Sequence, residues 1–288
     1  MADKLQRSCK MAQECTHDCQ SCGKTCGERA QQADFSAKLN EHSKVGTVLA
    51  VASGKGGVGK SFVTSALAVS FMRKGLKVGI LDADITGPSI PKAFGLAGGT
   101  YQSSKGIEPK VSKSGIRIIS LNLLMENQGE PVVWRGPVIA GVVKQFWTDV
   151  NWGDLDVMVV DMPPGTGDVP LTVFQSLPVN GIVTVSTPQS LVEMIVSKSV
   201  RMAQIMNKPL AGLVENMSFL RCPDCGKEIS VFGESKAAAL AERFSIPAYA
   251  RLPMDPGFAA KVDAGQIEDV SLPEMDEFAA NLLGSFKA

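Results

Sequence analysis

From Val45 onward the chain alternates short apolar runs with longer stretches whose apolar residues recur at helical spacing. Runs at 47–52, 77–82, 116–121, 157–161, 181–186, 210–215 and 248–252 have the length and continuous hydrophobicity of strands buried on both faces. Between and after them, 60–73, 137–149, 189–207, 235–244 and 274–286 predict helices. This alternation predicts an α/β fold, a doubly wound and mainly parallel sheet with right-handed crossovers and helices on both faces. Ligands of such sheets gather at the carboxyl ends of the strands. Residues 98–115, rich in Gly, Ser, Lys and Pro, read as a loop or β excursion. Residues 1–44 follow another rule: polar, poor in aliphatic side chains and without sustained periodicity, they predict a flexible appendage that folds, if at all, around a metal. Residues 45–288 then form the globular domain.

The turn between the first strand and the first helix is Gly54-Lys55-Gly56-Gly57-Val58-Gly59-Lys60-Ser61, which satisfies the P-loop pattern G-x-x-x-x-G-K-S/T. Glycines let backbone N–H groups point at an anion without Cβ clashes, and the following helix N-terminus adds partial positive charge. The spacing assigns Lys60 to the β- and γ-phosphates of a nucleotide and the Ser61 hydroxyl to Mg²⁺. The strand at 77–82 ends in Asp82-Ala83-Asp84. Two carboxylates at this spacing beside a P-loop can reach the Mg²⁺ shell and orient an attacking water, Asp82 at the metal and Asp84 as the catalytic group; solvated turn aspartates are the plain alternative. A third acidic residue closes the apolar run Val157–Val160 as Asp161, the Walker B arrangement for holding Mg²⁺ directly or through water. The loop after it, with Gly165 and Gly167, is built to sense a γ-phosphate.

The extra lysine, Lys55, makes the loop resemble the deviant P-loop of the MinD/ParA/nitrogenase-iron-protein class. In that class this lysine reaches the phosphates of a facing subunit, so the resemblance implies nucleotide at a dimer interface. Spacing by itself leaves Lys55 as a solvated loop cation.

Composition changes the picture mainly through cysteine. Of seven cysteines, five fall within residues 9–26 and the remaining two form Cys222-Pro223-Asp224-Cys225. Clusters of this density in a reducing compartment argue for metal ligation rather than disulfides. The Cys222–Cys225 knuckle offers two thiolates on one turn, half of a ligand set, which a two-fold partner completes as four thiolates suited to Zn²⁺ or a 4Fe-4S cluster. A redox-active disulfide or idle thiols are the remaining readings of that pair. In the N-terminal stretch Cys15, Cys19, Cys22 and Cys26 form the tighter set, with Cys9 and His17 nearby, and predict a second site for an Fe–S cluster or zinc. Basic and acidic residues number 29 each, for a net charge of +0. No global field favours nucleic acid or an anionic membrane. With no apolar stretch of transmembrane length and no apolar segment near Met1, a cytoplasmic protein is expected.

Taken in order, Gly54–Ser61, Asp82–Pro91, Trp134-Arg135-Gly136-Pro137, Asp161–Asp168, Glu215-Asn216-Met217-Ser218 and Cys222–Cys225 resemble the Mrp/ApbC-type iron–sulfur cluster carrier ATPases, over about residues 45–270. The resemblance implies a slow ATPase acting as a homodimer, with a labile 4Fe-4S cluster shared between the paired Cys222 and Cys225 and passed from assembly scaffolds to apo-proteins. It also implies that Asn216, with Pro253 and Asp255, contacts the adenine end of ATP. Two rivals share the P-loop: a MinD/ParA-type positioning ATPase that binds membrane or DNA, and a zinc-stapled NTPase. The last helix separates the first rival. Its stripe Leu272, Met275, Phe278, Leu282, Phe286 is accompanied by Glu274, Asp276 and Glu277, an acidic face that anionic lipid repels, so the helix is expected to pack on the sheet.

Overall fold

The computed structural model describes residues 36–84, 89–124, 136–165, 167–189 and 192–286. In chain order the elements begin with β1 (Lys44–Ser53), α1 (Lys60–Arg73), β2 (Val78–Asp82), a short α2 (Ile90–Ala93) and the small strands β3 (Tyr101–Ser103), β4 (Gly106–Glu108) and β5 (Lys110–Val111). They continue with β6 (Arg117–Ile119), α3 (Gly136–Thr148), β7 (Asp154–Asp161), α4 (Asp168–Ser176), β8 (Gly181–Ser186) and α5 (Val192–Ile205). The last third holds β9 (Leu210–Arg221), β10 (Glu228–Ile229), α6 (Ala237–Arg243), β11 (Ala248–Pro253), α7 (Pro256–Asp263) and α8 (Pro273–Ser285).

Nine strands form one sheet in the order β10-β9-β8-β1-β7-β2-β6-β5, with β11 also paired to β9. The long strands run parallel; only the short β5 and β10 are antiparallel to their neighbours. The doubly wound α/β expectation therefore holds. Because β1 sits between β7 and β8, the chain leaves its carboxyl end in the crevice where strand order reverses.

Alternation along the central strands splits the core into two layers. Leu49, Val51, Ile80, Val159 and Val183 face α1 and α8, where Leu67, Phe71, Met275, Phe278 and Leu282 are buried. Val48, Ala50, Met158 and Val160 face the other way, onto Phe146, Trp147 and Phe174 of α3 and α4. The stripe on α8 packs on the sheet as its acidic polar face led us to expect, and Asp276 accepts a 2.6 Å hydrogen bond from Ser70 Oγ of α1. Among the described residues no helix is long and apolar enough to cross a membrane.

Three sequence expectations need correction. The compact unit begins at Ser36 rather than Val45: Ala37 N donates to Ser176 O at 2.9 Å, Trp147 Nε1 donates to Ala37 O at 3.0 Å, and Leu39 joins the α3–α4 layer. A few apolar side chains in a polar stretch sufficed to dock it, which a periodicity search over a longer window does not register. The strand expected at 116–121 ends at Ile119 and gives way to a single 3₁₀ turn, Leu121–Leu123. Helices α2, α4 and α7 were not anticipated because each is short and Pro-containing, Pro91, Pro170 and Pro256 standing near their first turns. The region 98–115 is a β excursion, with β3 and β4 pairing as a separate hairpin.

Candidate nucleotide site and cysteine knuckle

The P-loop connects the buried end of β1 to α1. Gly57 and Gly59 have φ of 77° and 79°, the left-handed region that a side chain disfavours. Gly59 is also the N-cap of α1, whose first turn has no acidic residue and no side-chain cap, so its N–H groups stay available to an anion. A Cβ at Gly59 would run into Asn216 Nδ2.

Two carboxylates pair with Lys60. Its ammonium lies 2.8 Å from Asp161 Oδ1 and 3.3 Å from Asp84 Oδ2, in a setting where the lysine side chain is 6% exposed. Asp161 is aligned by strand register: β7 pairs with β2 so that Asp161 stands opposite Asp82, and with β1 so that it stands opposite Val51. Asp161 also accepts from Ser61 Oγ at 2.6 Å and from Thr64 Oγ1 at 2.7 Å. Thr64 was not singled out from the sequence; its place one turn after Lys60 on the same helix face was the available signal. Asp82 Oδ1 accepts from Asp84 N at 3.1 Å, while its Oδ2 is buried without a partner. Burial, and then the nearby Asp161, push the Asp82 carboxyl well above the usual carboxylate range. A buried carboxylate oxygen without a partner, on a residue in register with a second carboxylate at Asp161, offers donors of the kind a hard cation such as Mg²⁺ takes. The second loop lysine, Lys55, donates to Gln189 Oε1, another residue the sequence reading passed over.

Two cavities share the P-loop wall. One, about 290 Å³, is lined by the loop itself with Asp84, Ser89 and Pro164. The other, about 400 Å³, shares Gly59, Phe62 and Val262 with it and is closed by Asn216, Met217, Pro253, Asp255 and Phe258. Phe62 and Phe258 stack at 5.8 Å between centroids. The second cavity is mainly apolar, of a size and character for a flat heteroaromatic ring. Asn216 Nδ2 donates to Val58 O at 3.0 Å, tying the cavity to the P-loop. Asp255 caps α7, its Oδ1 accepting from Gly257 N at 2.7 Å, and so stands at the rim through a structural task of its own.

The knuckle sits on the turn between β9 and β10. Cys222 N donates to Lys227 O at 3.0 Å and Gly226 N donates back to Cys222 O at 2.9 Å, so the loop folds on itself with both thiols free, Cys225 exposed. Backbone N–H groups of Cys225 and then Asp224 lower the Cys222 thiol below its ordinary value, favouring the thiolate that ligates metal. No group of three or more His, Cys, Asp or Glu side chains able to hold a metal ion occurs among the described residues. Cys9, Cys15, Cys19, Cys22 and Cys26 lie outside the described residues, as do Ile85–Pro88, Trp134, Arg135 and Thr166.

Comparison with known proteins matches the same elements. The ParA family described as NUBPL iron-transfer P-loop NTPase matches residues 44–283, and the chain belongs to it. It is 44% identical over 242 residues to an iron-sulfur cluster carrier protein of Clostridium perfringens, covering 81% of this chain and 85% of that one. It is 39% identical over 224 residues to a cytosolic Fe-S cluster assembly factor of Kluyveromyces lactis, 75% of this chain and 79% of the relative. Among solved structures, a nucleotide-binding protein of Archaeoglobus fulgidus in complex with ADP aligns with a TM-score of 0.73 at 43% identity, over 81% of this chain and 92% of that one. The cell division ATPase MinD of Pyrococcus furiosus aligns at TM-score 0.56 and 16% identity, over 84% and 98%, a likeness of fold alone.

Proposed function

We propose that this member of the iron-transfer P-loop NTPase family is a slow ATPase that, as a homodimer, carries a 4Fe-4S cluster on Cys222 and Cys225 and delivers it to apo-proteins. The observation that carries the reading is that one strand, β9, bears Asn216 against the P-loop and leads directly into the Cys222–Cys225 turn. A pure NTPase has no use for a thiol half-site at the end of its nucleotide-binding strand. The carrier and assembly-factor names of the relatives support iron–sulfur cargo over zinc. A positioning role is disfavoured by α8, whose apolar stripe is already buried against α1 and β11.

In this reading the backbone from Gly54 to Ser61 cradles the phosphates and Lys60 exchanges its carboxylate contacts for the β- and γ-phosphate oxygens. Mg²⁺ fits beside Ser61, Asp82 and Asp161 and would neutralise phosphate charge there. Asp84 orients the attacking water and takes its proton as the new O–P bond forms and the β–γ bridge oxygen leaves with ADP. Lys55, released from Gln189, reaches the phosphates of the facing subunit and acts mainly in the transition state. The adenine ring enters the cavity between Phe62 and Pro253, with Asn216 and Asp255 at its edge. Two Cys222–Cys225 pairs together give the four thiolates a 4Fe-4S cluster needs. Cys15, Cys19, Cys22 and Cys26 hold a second Fe–S cluster or zinc. The setting proposed is the cytoplasm, among assembly scaffolds and apo iron–sulfur proteins, without a membrane or nucleic-acid partner.

The test is an anaerobic preparation with iron, sulfide and zinc counted per protomer alongside its mass in solution and its ATP turnover. Iron and sulfide near two atoms each per protomer in the chain lacking residues 1–35, in a dimer that hydrolyses ATP, is expected. Stoichiometric zinc without sulfide would replace the carrier reading with the zinc-stapled NTPase.

A further inference from the structure

Strand β9 does more than link the two sites; it bulges where they meet. Its register with β11 runs Arg251 to Glu215 and then shifts to Pro253 opposite Phe219. The extra backbone lies at Asn216, Met217 and Ser218, and Met217 has φ of 55°. A methionine in the left-handed region is strained unless its surroundings fix it. On one side of the bulge Asn216 holds Val58 of the P-loop. On the other, Ser218 Oγ donates to the fully buried Glu215 Oε1 at 2.6 Å and accepts from Arg251 Nε at 3.1 Å.

Arg251 then reaches outward. Its Nη2 stands 3.6 Å from Glu228 Oε2 on β10, the strand that closes the Cys222–Cys225 turn, and its guanidinium lies 5.1 Å from the Phe219 ring centroid. Arg221, next to Cys222, braces the same hairpin through Glu274 of α8 at 2.5 Å and stands 4.0 Å from Glu228 Oε1, whereas the hydrogen bond to Ser218 of the bulge comes from Arg251. Arg251 belongs to none of the motifs recognised in the sequence.

We infer that Arg251 is a positioning residue that couples the nucleotide-facing bulge at Asn216–Ser218 to the hairpin bearing Cys222 and Cys225. The guanidinium fork serves both ends at once: Nε is fixed on Ser218 and Nη2 on Glu228, so a change at the bulge is transmitted as a change in hairpin position. A lysine, with a single point charge on a flexible stem, can serve one end at a time. The inference rests on the proposed function only in taking the hairpin as the cluster seat.

The test is amide hydrogen exchange of residues 222–229 in the full chain, with and without Mg·ATP, which reads the hairpin whether or not a cluster is bound. In the wild type, nucleotide should change hairpin exchange by about fivefold or more, the lower end of ordinary coupling. Arg251→Gln and Glu228→Gln should each abolish that response while nucleotide still binds, the double variant should lose nothing further, and Arg251→Lys should not restore it. Glu228→Gln alters a half-exposed side chain at the outer end of the contact, so it answers the question even where Arg251→Gln unfolds the bulge. A wild-type hairpin indifferent to nucleotide, or variants that respond like the wild type, would overturn the coupling. Exchange that responds while cluster transfer does not would leave the coupling standing and overturn the cluster-release reading instead.

Discussion

Lys60 Nζ lies 2.8 Å from Asp161 Oδ1, so the P-loop lysine and the Walker B aspartate form a buried ion pair at the centre of the site. The pair is set by three sheet strands rather than by the loop alone, since Asp161 is in register with both β1 and β2. Removing one partner of such a pair is costly because the other stays buried.

The two loop lysines should therefore separate in a kinetic experiment. Lys60→Ala removes a charged hydrogen-bond donor to phosphate, worth about 1.5–3 kcal/mol, and should weaken nucleotide binding by roughly 10–100-fold. Lys55, held at the rim by Gln189, should affect turnover instead: Lys55→Ala should lower kcat and leave Kd for ATP near the wild-type value. Wild-type turnover in that variant would return Lys55 to a solvated loop cation.

Gly59→Ala should abolish nucleotide binding with the sheet intact. The left-handed φ costs an L-residue about 1–2 kcal/mol, and the new methyl meets the amide of Asn216 on the wall between phosphate and base cavities. Isothermal titration with ADP and circular dichroism of the same sample check both halves. Retained affinity would mean that Asn216 gives way freely and does not fix the cavity wall.

Changing Cys222 and Cys225 together to Ser should remove the proposed shared cluster while ATP still binds, since neither thiol lines the nucleotide cavities. The comparison is best made in residues 36–288, where the N-terminal cysteines contribute no metal. Unchanged iron content there would refute the assignment.

The Cys222 thiol is lowered by backbone donors from Cys225 and Asp224, so its thiolate persists as pH falls below the ordinary thiol range near ~8.5. Alkylation of Cys222 by iodoacetamide, followed by mass spectrometry in metal-free protein, should therefore show its rate midpoint below that range. A midpoint at or above it would mean the turn does not prepare the thiolate.

Much of this was legible in the sequence because its signals are local. The P-loop, Asp161 and the Cys222–Cys225 turn are each set by a few adjacent residues, and α1 begins and ends where periodicity placed it, at Lys60 and Arg73. Gln189 and Arg251, and Thr64 apart from its helical spacing to Lys60, stood out less for the opposite reason. Their partners Asp161, Lys55, Ser218 and Glu228 come from other elements, and only the folded sheet brings them together. The docking of Ala37 and Leu39 was missed because two or three anchoring contacts leave no periodic trace.

The central claim is that nucleotide controls a cluster held at Cys222 and Cys225. Its most direct measurement is the rate of cluster transfer to an apo-acceptor, read by acceptor activity and by chelator capture, with and without Mg·ATP, in the wild type and in Asp84→Ala. The account predicts that Mg·ATP changes the wild-type rate by about 5–150-fold, the range of ordinary allosteric coupling, and that Asp84→Ala, which binds but does not hydrolyse, holds it at one extreme. Equal rates in all four conditions would contradict the account and leave a carrier whose ATPase serves another step.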